Sequence, residues 1–172
     1  MKVLLIIIIT IAVIVFAMVK FRQKQAKVTL NPVDSILPNG TMGFIIGDSK
    51  AFTLSRINHL GMATKEDMEE YNSPWNYDGR ITVSRGMYNH ISDVTFQFRN
   101  EKLSEITIQF DKQPDEIAEF WGIVMSRIAN ILGEPTFKHD GIAKWGNEIS
   151  LFYDVTTPKE KWVLFLFIAD NV

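Results

Sequence analysis

The sequence predicts an α+β protein: an N-terminal transmembrane helix followed by a two-layer domain with helices packed on an antiparallel meander sheet. Three observations carry that expectation. Val3 to Val19 is apolar throughout except for Thr10. Apolar and polar residues alternate with period two around residues 94–110, and a second strand pair is expected toward the C terminus. Between these stretches, the apolar side chains of Ile117 to Leu132 recur at helical spacing.

The apolar run, at 1.5 Å per residue, spans roughly 26 Å, and Phe21 with snorkelling Lys20 and Arg22 extends it toward the roughly 30 Å hydrocarbon core. Residues 1–22 therefore read as a single-pass anchor. The competing reading is a cleaved signal peptide, with Lys2 as its basic start and Val15 and Ala17 before a cut. Lys20, Arg22, Lys24 and Lys27 would follow that cut directly and oppose translocation, which favours a retained anchor. The same four charges outnumber Lys2 and the terminal amine, so the positive-inside rule places the domain in the cytoplasm. A signal-anchor arrangement, with the domain outside, is the alternative.

Charge divides the chain at the same place. Five of its 18 Lys and Arg residues and none of its 20 Asp and Glu residues fall in Met1 to Lys27, leaving 13 basic against 20 acidic side chains, a net of −7. So acidic a remainder does not suit a general nucleic-acid binder, whose affinity rests on basic patches. With no Cys, the chain has no disulfide, thiolate metal site, cysteine nucleophile or lipidated cysteine.

Residues 23–43, with Pro32, Pro38 and a Pro-Asn-Gly turn signal, read as a linker, and 44–172 as the globular domain. Gly47-Asp48-Ser49 offers a capped helix start, with the helix running to about Leu60 and stopping at Gly61. Thr64-Lys65-Glu66-Asp67 resembles a capping box, so a short acidic helix is expected to about Tyr71. Ile81 and Val83 supply a strand. Val94, Phe96 and Phe98, then Ile106, Ile108 and Phe110, form an antiparallel hairpin turning at Asn100-Glu101-Lys102. Ile117, Phe120, Trp121, Val124, Ile128, Ile131 and Leu132 make one apolar helix stripe that must lie on a sheet, and Gly133 and Pro135 end it. A second hairpin pairs Ile149–Val155 with Lys161–Ala169. The run Trp162 to Ile168 is apolar on both faces, as expected of a central strand covered on each side or paired with another surface.

Ser55-Arg56-Ile57-Asn58-His59-Leu60-Gly61 and Ser126-Arg127-Ile128-Ala129-Asn130-Ile131-Leu132-Gly133 share a pattern, S-R-I followed after a short gap by L-G. A tandem α-β-β duplication would place two helices on one antiparallel sheet. These helix ends, Leu60-Gly61 and Leu132-Gly133-Glu134-Pro135, with meander strands such as Phe96 to Phe110, resemble the fold shared by bacterial outer-membrane assembly lipoproteins of the BamE/SmpA type and the tandem-repeat β-lactamase inhibitory proteins. The resemblance covers about Phe44 to Ala169 and implies a non-enzymatic protein-binding module. The chain lacks a lipobox cysteine, so no lipoprotein role carries over, nor does any catalytic or inhibitory residue.

No constellation in the sequence carries catalysis, a cofactor or a metal. His59, His90 and His139 lie far apart, and His90 with Asp93 is the nearest approach to a chelating pair. There is no Gly-rich phosphate loop, no G-x-S-x-G and no evident small-molecule substrate. Glu66, Asp67, Glu69 and Glu70 form an acidic cluster that a helix dipole would explain. The stretch Tyr71 to His90 places Trp75, Tyr77, Arg80, Arg85 and Tyr88 in a turn-rich insertion, and Trp, Tyr and Arg are the residues that anchor protein interfaces. The plainer use of Trp75 and Tyr77 is as rings folded back over a small core. The expectation is a membrane-anchored, non-catalytic protein-binding or scaffold module. The alternative is an immunity-type or inhibitor protein whose acidic domain neutralises a basic toxin or enzyme.

Overall fold

The computed structural model describes residues 32–62, 68–71, 79–84, 90–153 and 163–170. The proposed anchor, residues 1–22, lies outside them, and no helix among the described residues is long and apolar enough to cross a membrane. The described chain is α+β, with two helices and a large antiparallel sheet.

A small hairpin comes first, β1 (Gly40–Thr41) and β2 (Phe44–Ile45), closed by Met42 and Gly43 at φ +55° and +76°. Both loop residues are left-handed, as a two-residue turn matching strand twist requires. Helix α1 (Lys50–His59) begins where expected, the Ser49 hydroxyl accepting from the Phe52 amide at 3.2 Å. It ends in a Schellman motif: Gly61, at φ +60°, donates to the Asn58 carbonyl, and Met62 donates to that of Ile57.

Four strands follow, β3 (Met68–Tyr71), β4 (Gly79–Ser84), β5 (Ile91–Arg99) and β6 (Lys102–Phe110). Helix α2 (Ile117–Leu132) leads to four more, β7 (Phe137–His139), β8 (Ile142–Trp145), β9 (Ile149–Tyr153) and β10 (Leu164–Ala169). The eight form one sheet in the order β3-β4-β5-β6-β10-β9-β8-β7. Each helix thus precedes a four-strand meander, and the two meanders meet at their last strands, β6 and β10, which pair antiparallel from Leu164↔Phe110 to Ala169↔Glu105.

Three expectations change. Each half holds four strands where an α-β-β unit has two: the strand expected at Ile81 and Val83 forms as β4, while the short runs at 68–71, 137–139 and 142–145 add strands that weak periodicity hides, β3 and β7 at the two edges. The acidic helix expected to Tyr71 is absent where described: Met68–Tyr71 is extended and pairs with Val83–Arg80, ladder bonds outweighing local propensity. Residues 32–43, read as linker, fold onto the domain instead. Val33, Ile36 and Met42 are buried, and the Thr41 hydroxyl donates to the Pro32 carbonyl at 2.5 Å.

One sheet face is packed. Val94, Phe96 and Phe98 from β5, Ile106 and Ile108 from β6, and Leu164, Leu166 and Ile168 from β10 are buried beneath Ile57 of α1 and Val124 and Ile128 of α2. The repeated S-R-I falls at matching places. Ile57 and Ile128 are both fully buried, each with a buried residue four positions earlier, Thr53 and Val124. The arginines beside them both reach the 32–43 segment: Arg56 donates twice to the Met42 carbonyl, and Arg127 pairs with Asp34. The N-terminal segment is therefore held on the helical side of the sheet.

Candidate interaction surface

Strand alternation sends every second side chain to the face opposite the helices. Register places these residues in rows. Thr82, Thr95, Thr107, Phe167, Ser150 and Lys144 stand opposite one another across six strands. Asp93, Gln109, Phe165, Phe152 and Ile142 make the adjacent row.

The face has two chemistries. Over β4, β5 and β6 it is a hydrogen-bonded polar network. Arg80 Nε donates to Thr82 Oγ1 at 3.2 Å, the Thr82 and Thr95 hydroxyls bond at 3.2 Å, Thr107 donates to Glu105 Oε1 at 2.7 Å, and Gln97 donates to the same oxygen. Over β9 and β10 it is aromatic. Phe152 stacks on Phe167 with centroids 5.2 Å apart and on Phe165 at 5.7 Å, and Phe165 lies 5.8 Å from Phe167. All three rings are half-buried by their strand neighbours rather than by a helix. A shallow cavity of about 260 Å³ joins the two regions, with Arg80, Asp93, Glu105 and Gln109 on one side and Phe165 and Phe167 on the other.

Of the five residues predicted to anchor a partner, Arg80 lies on this face. Trp75, Tyr77, Arg85 and Tyr88 lie outside the described residues. They do not share one insertion, however. The chain leaves β3 at Tyr71 and re-enters at Gly79, then leaves β4 at Ser84 and re-enters before Ile91, so the two connections attach to opposite ends of a six-residue strand. Those ends are about 20 Å apart. The Phe trio was legible in part, since Phe165 and Phe167 alternate with Leu164, Leu166 and Ile168. Phe152 gave no signal beyond membership of a strand.

His90 and Asp93 turn to different layers. His90, in a turn at φ +71°, packs edge-on against Phe120 of α2 at 5.7 Å, whereas Asp93 lines the open face. Among the described residues, no three His, Asp or Glu side chains converge as metal ligands would. Of the other tryptophans, Trp145 is buried and donates to the Gly133 carbonyl at 2.8 Å, fastening β8 to the end of α2. Trp121 packs against the core from α2, and Trp162 lies outside the described residues. Comparison with protein-family models, with curated proteins and with solved structures gave no match.

Proposed function

We propose that this chain is a non-catalytic module, held at a membrane by residues 1–22, that binds a protein partner through the open face of its sheet. The observation that carries the reading is the Phe152, Phe165 and Phe167 cluster on a sheet face that no described helix covers. An aromatic centre beside a polar, hydrogen-bonding margin is the usual anatomy of a protein interface. The Tyr71 to His90 region, with Trp75, Tyr77, Arg85 and Tyr88, would flank that face through the connections at both ends of β4.

The tether supports the same orientation. Residues 23–31 separate the apolar run from the packed Pro32, and nine residues reach at most about 30 Å. Since residues 32–43 pack on the helical side, that side would face the bilayer and the open sheet face would point away. The BamE/SmpA-like resemblance belongs to this reading as well, as a likeness of α+β binding modules built from repeated halves.

The test is capture of a partner by the full chain, compared with a Phe165→Thr/Phe167→Thr variant. Threonine keeps strand propensity while removing the rings. Loss of capture with an unchanged fold is expected; retained capture refutes the assignment. Thr107→Arg, which adds bulk beside Phe167 without removing a ring, gives the same answer if the double variant unfolds.

A further inference from the structure

Among the described residues five large hydrophobic side chains are exposed, and four of them, Leu37, Phe52, Ile123 and Ile131 at 45–49%, lie on the helical side of the sheet. Two occupy equivalent places. The S-R-I echo aligns Phe52 with Ile123, each four residues before its arginine. Residues four apart share one flank of a helix. Arg56 and Arg127 both reach the 32–43 segment, so Phe52 and Ile123, and Ile131 four residues beyond Arg127, border the segment that carries Leu37. The outer surface of the helices is nearly uncharged. The five exposed residues of α1 include no Lys, Arg, Asp or Glu, and the seven of α2 include only Glu119 and Arg127. A helix face turned to bulk water is normally rich in charge. With the half-buried Lys50 and Arg56, the two helices hold three cationic side chains against Glu119, although the domain as a whole is acidic.

We propose that the helical layer rests on the surface of the bilayer that anchors the chain, with Leu37, Phe52, Ile123 and Ile131 entering the headgroup region. The contact depends on residues 1–22 being a membrane anchor. Residues 23–31 reach at most about 30 Å, so the tether keeps this face beside the lipid. Confinement by a short tether gives a millimolar effective concentration, and a weak contact then suffices. The four side chains are spread over two helices and a loop, with small and weakly polar residues between them. That spread suits a fluid headgroup layer better than the packed centre of a protein interface. Lys50, Arg56 and Arg127 favour anionic headgroups. Asp34 is already paired with Arg127. Glu119, one turn before Ile123, and Glu116 and Glu134 at the ends of α2 oppose anionic lipid, so the apolar side chains carry the contact and charge adjusts it.

The chain has no Cys, so single cysteines can carry a fluorophore at chosen sites. The experiment uses the full chain in nanodiscs of equal parts phosphatidylcholine and phosphatidylglycerol, doped with a nitroxide lipid that quenches fluorophores at the bilayer surface. Labels go on Ser55→Cys and Ser126→Cys, exposed and equivalent on the two helices, on Lys144→Cys, exposed on the open sheet face, and on Lys20→Cys at the end of the apolar run. Quenching at residues 55 and 126 should exceed that at 144 several-fold. Phe52→Ser/Ile123→Ser should remove most of this excess and leave residue 20 unchanged; both side chains are exposed, so the fold should survive. Ile131→Ser, in the last turn of α2, gives the same reading if the pair disturbs the fold. If residue 20 stays unquenched, the chain is not anchored, and the contact fails with the anchor. If residue 20 is quenched but residues 55 and 126 match 144, the anchor stands and the helical contact is refuted. Indifference of the quenching to these serine substitutions also overturns the assignment. Each result is independent of what binds the open sheet face.

Discussion

Ile36 and Leu37 are adjacent aliphatic residues in a segment that composition alone marks as a linker, yet Ile36 is 1% exposed and Leu37 45%. Ile36→Ala removes three buried carbons. At about 0.8 kcal/mol each the transfer contribution is about 2.4 kcal/mol. A partly relaxed cavity raises the cost to about 3–4 kcal/mol, within the range for large-to-small core changes. For a domain of this size, at about 4 °C per kcal/mol, the melting temperature should fall by about 12–16 °C. Leu37→Ala should cost less than about 0.5 kcal/mol, as surface changes do. The assay is thermal and urea unfolding of the full chain and both variants, followed by circular dichroism. If both substitutions are silent, residues 32–43 are a tether after all and the packing of Ile36 is refuted. If both are equally damaging, the difference in burial is wrong.

Four further substitutions test single features of the structure. Arg56→Gln should cost about 1.5–3 kcal/mol by removing a charged donor from the Met42 carbonyl. Its counterpart Arg127→Gln should cost under about 1 kcal/mol, since Arg127 and Asp34 are more than half exposed at 3.6 Å; urea midpoints separate the two. Gly133→Ala should lose about 1–3 kcal/mol although space around it is open, because φ +88° with ψ −178° is a conformation that only glycine adopts readily, and calorimetry measures the loss. Trp145→Phe leaves the Gly133 carbonyl without its indole donor, and amide exchange in the last turn of α2 should accelerate while α1 is unaffected.

Where one element supplied its own pattern, the sequence was readable. Ser49 before α1, Gly61 and Gly133 after the helices, the stripe through Ile117, Val124 and Ile128, and the β5–β6 alternation are all local signals. What depended on pairing was not. Met68–Tyr71 carries acidic residues that suit a helix start, and only its ladder with β4 makes it a strand. Phe137–His139 is three exposed residues whose structure comes from β8. Met42 at φ +55° occupies a turn position that favours glycine or asparagine, yet its side chain is fully buried, so packing sets its place. The S-R-I echo did find equivalent positions in both helices, though the unit around it is twice as strand-rich as expected. For the candidate surface, Trp, Tyr and Arg content drew attention to the β3–β4 and β4–β5 connections. Phe152 escaped notice, because it joins Phe165 and Phe167 only when β9 is laid beside β10.

The central claim is that the open sheet face, not the helical layer, meets the partner. Site-specific photo-crosslinking in cells of the native host tests it most directly, with the photoreactive residue placed in turn at Thr95 and Gln109 on the open face and at the exposed Phe52 and Ile123 of the two helices. The account predicts adducts to one common protein from Thr95 and Gln109 and none to it from Phe52 or Ile123. Adducts from the helical positions alone, or silence from both open-face positions, would contradict it.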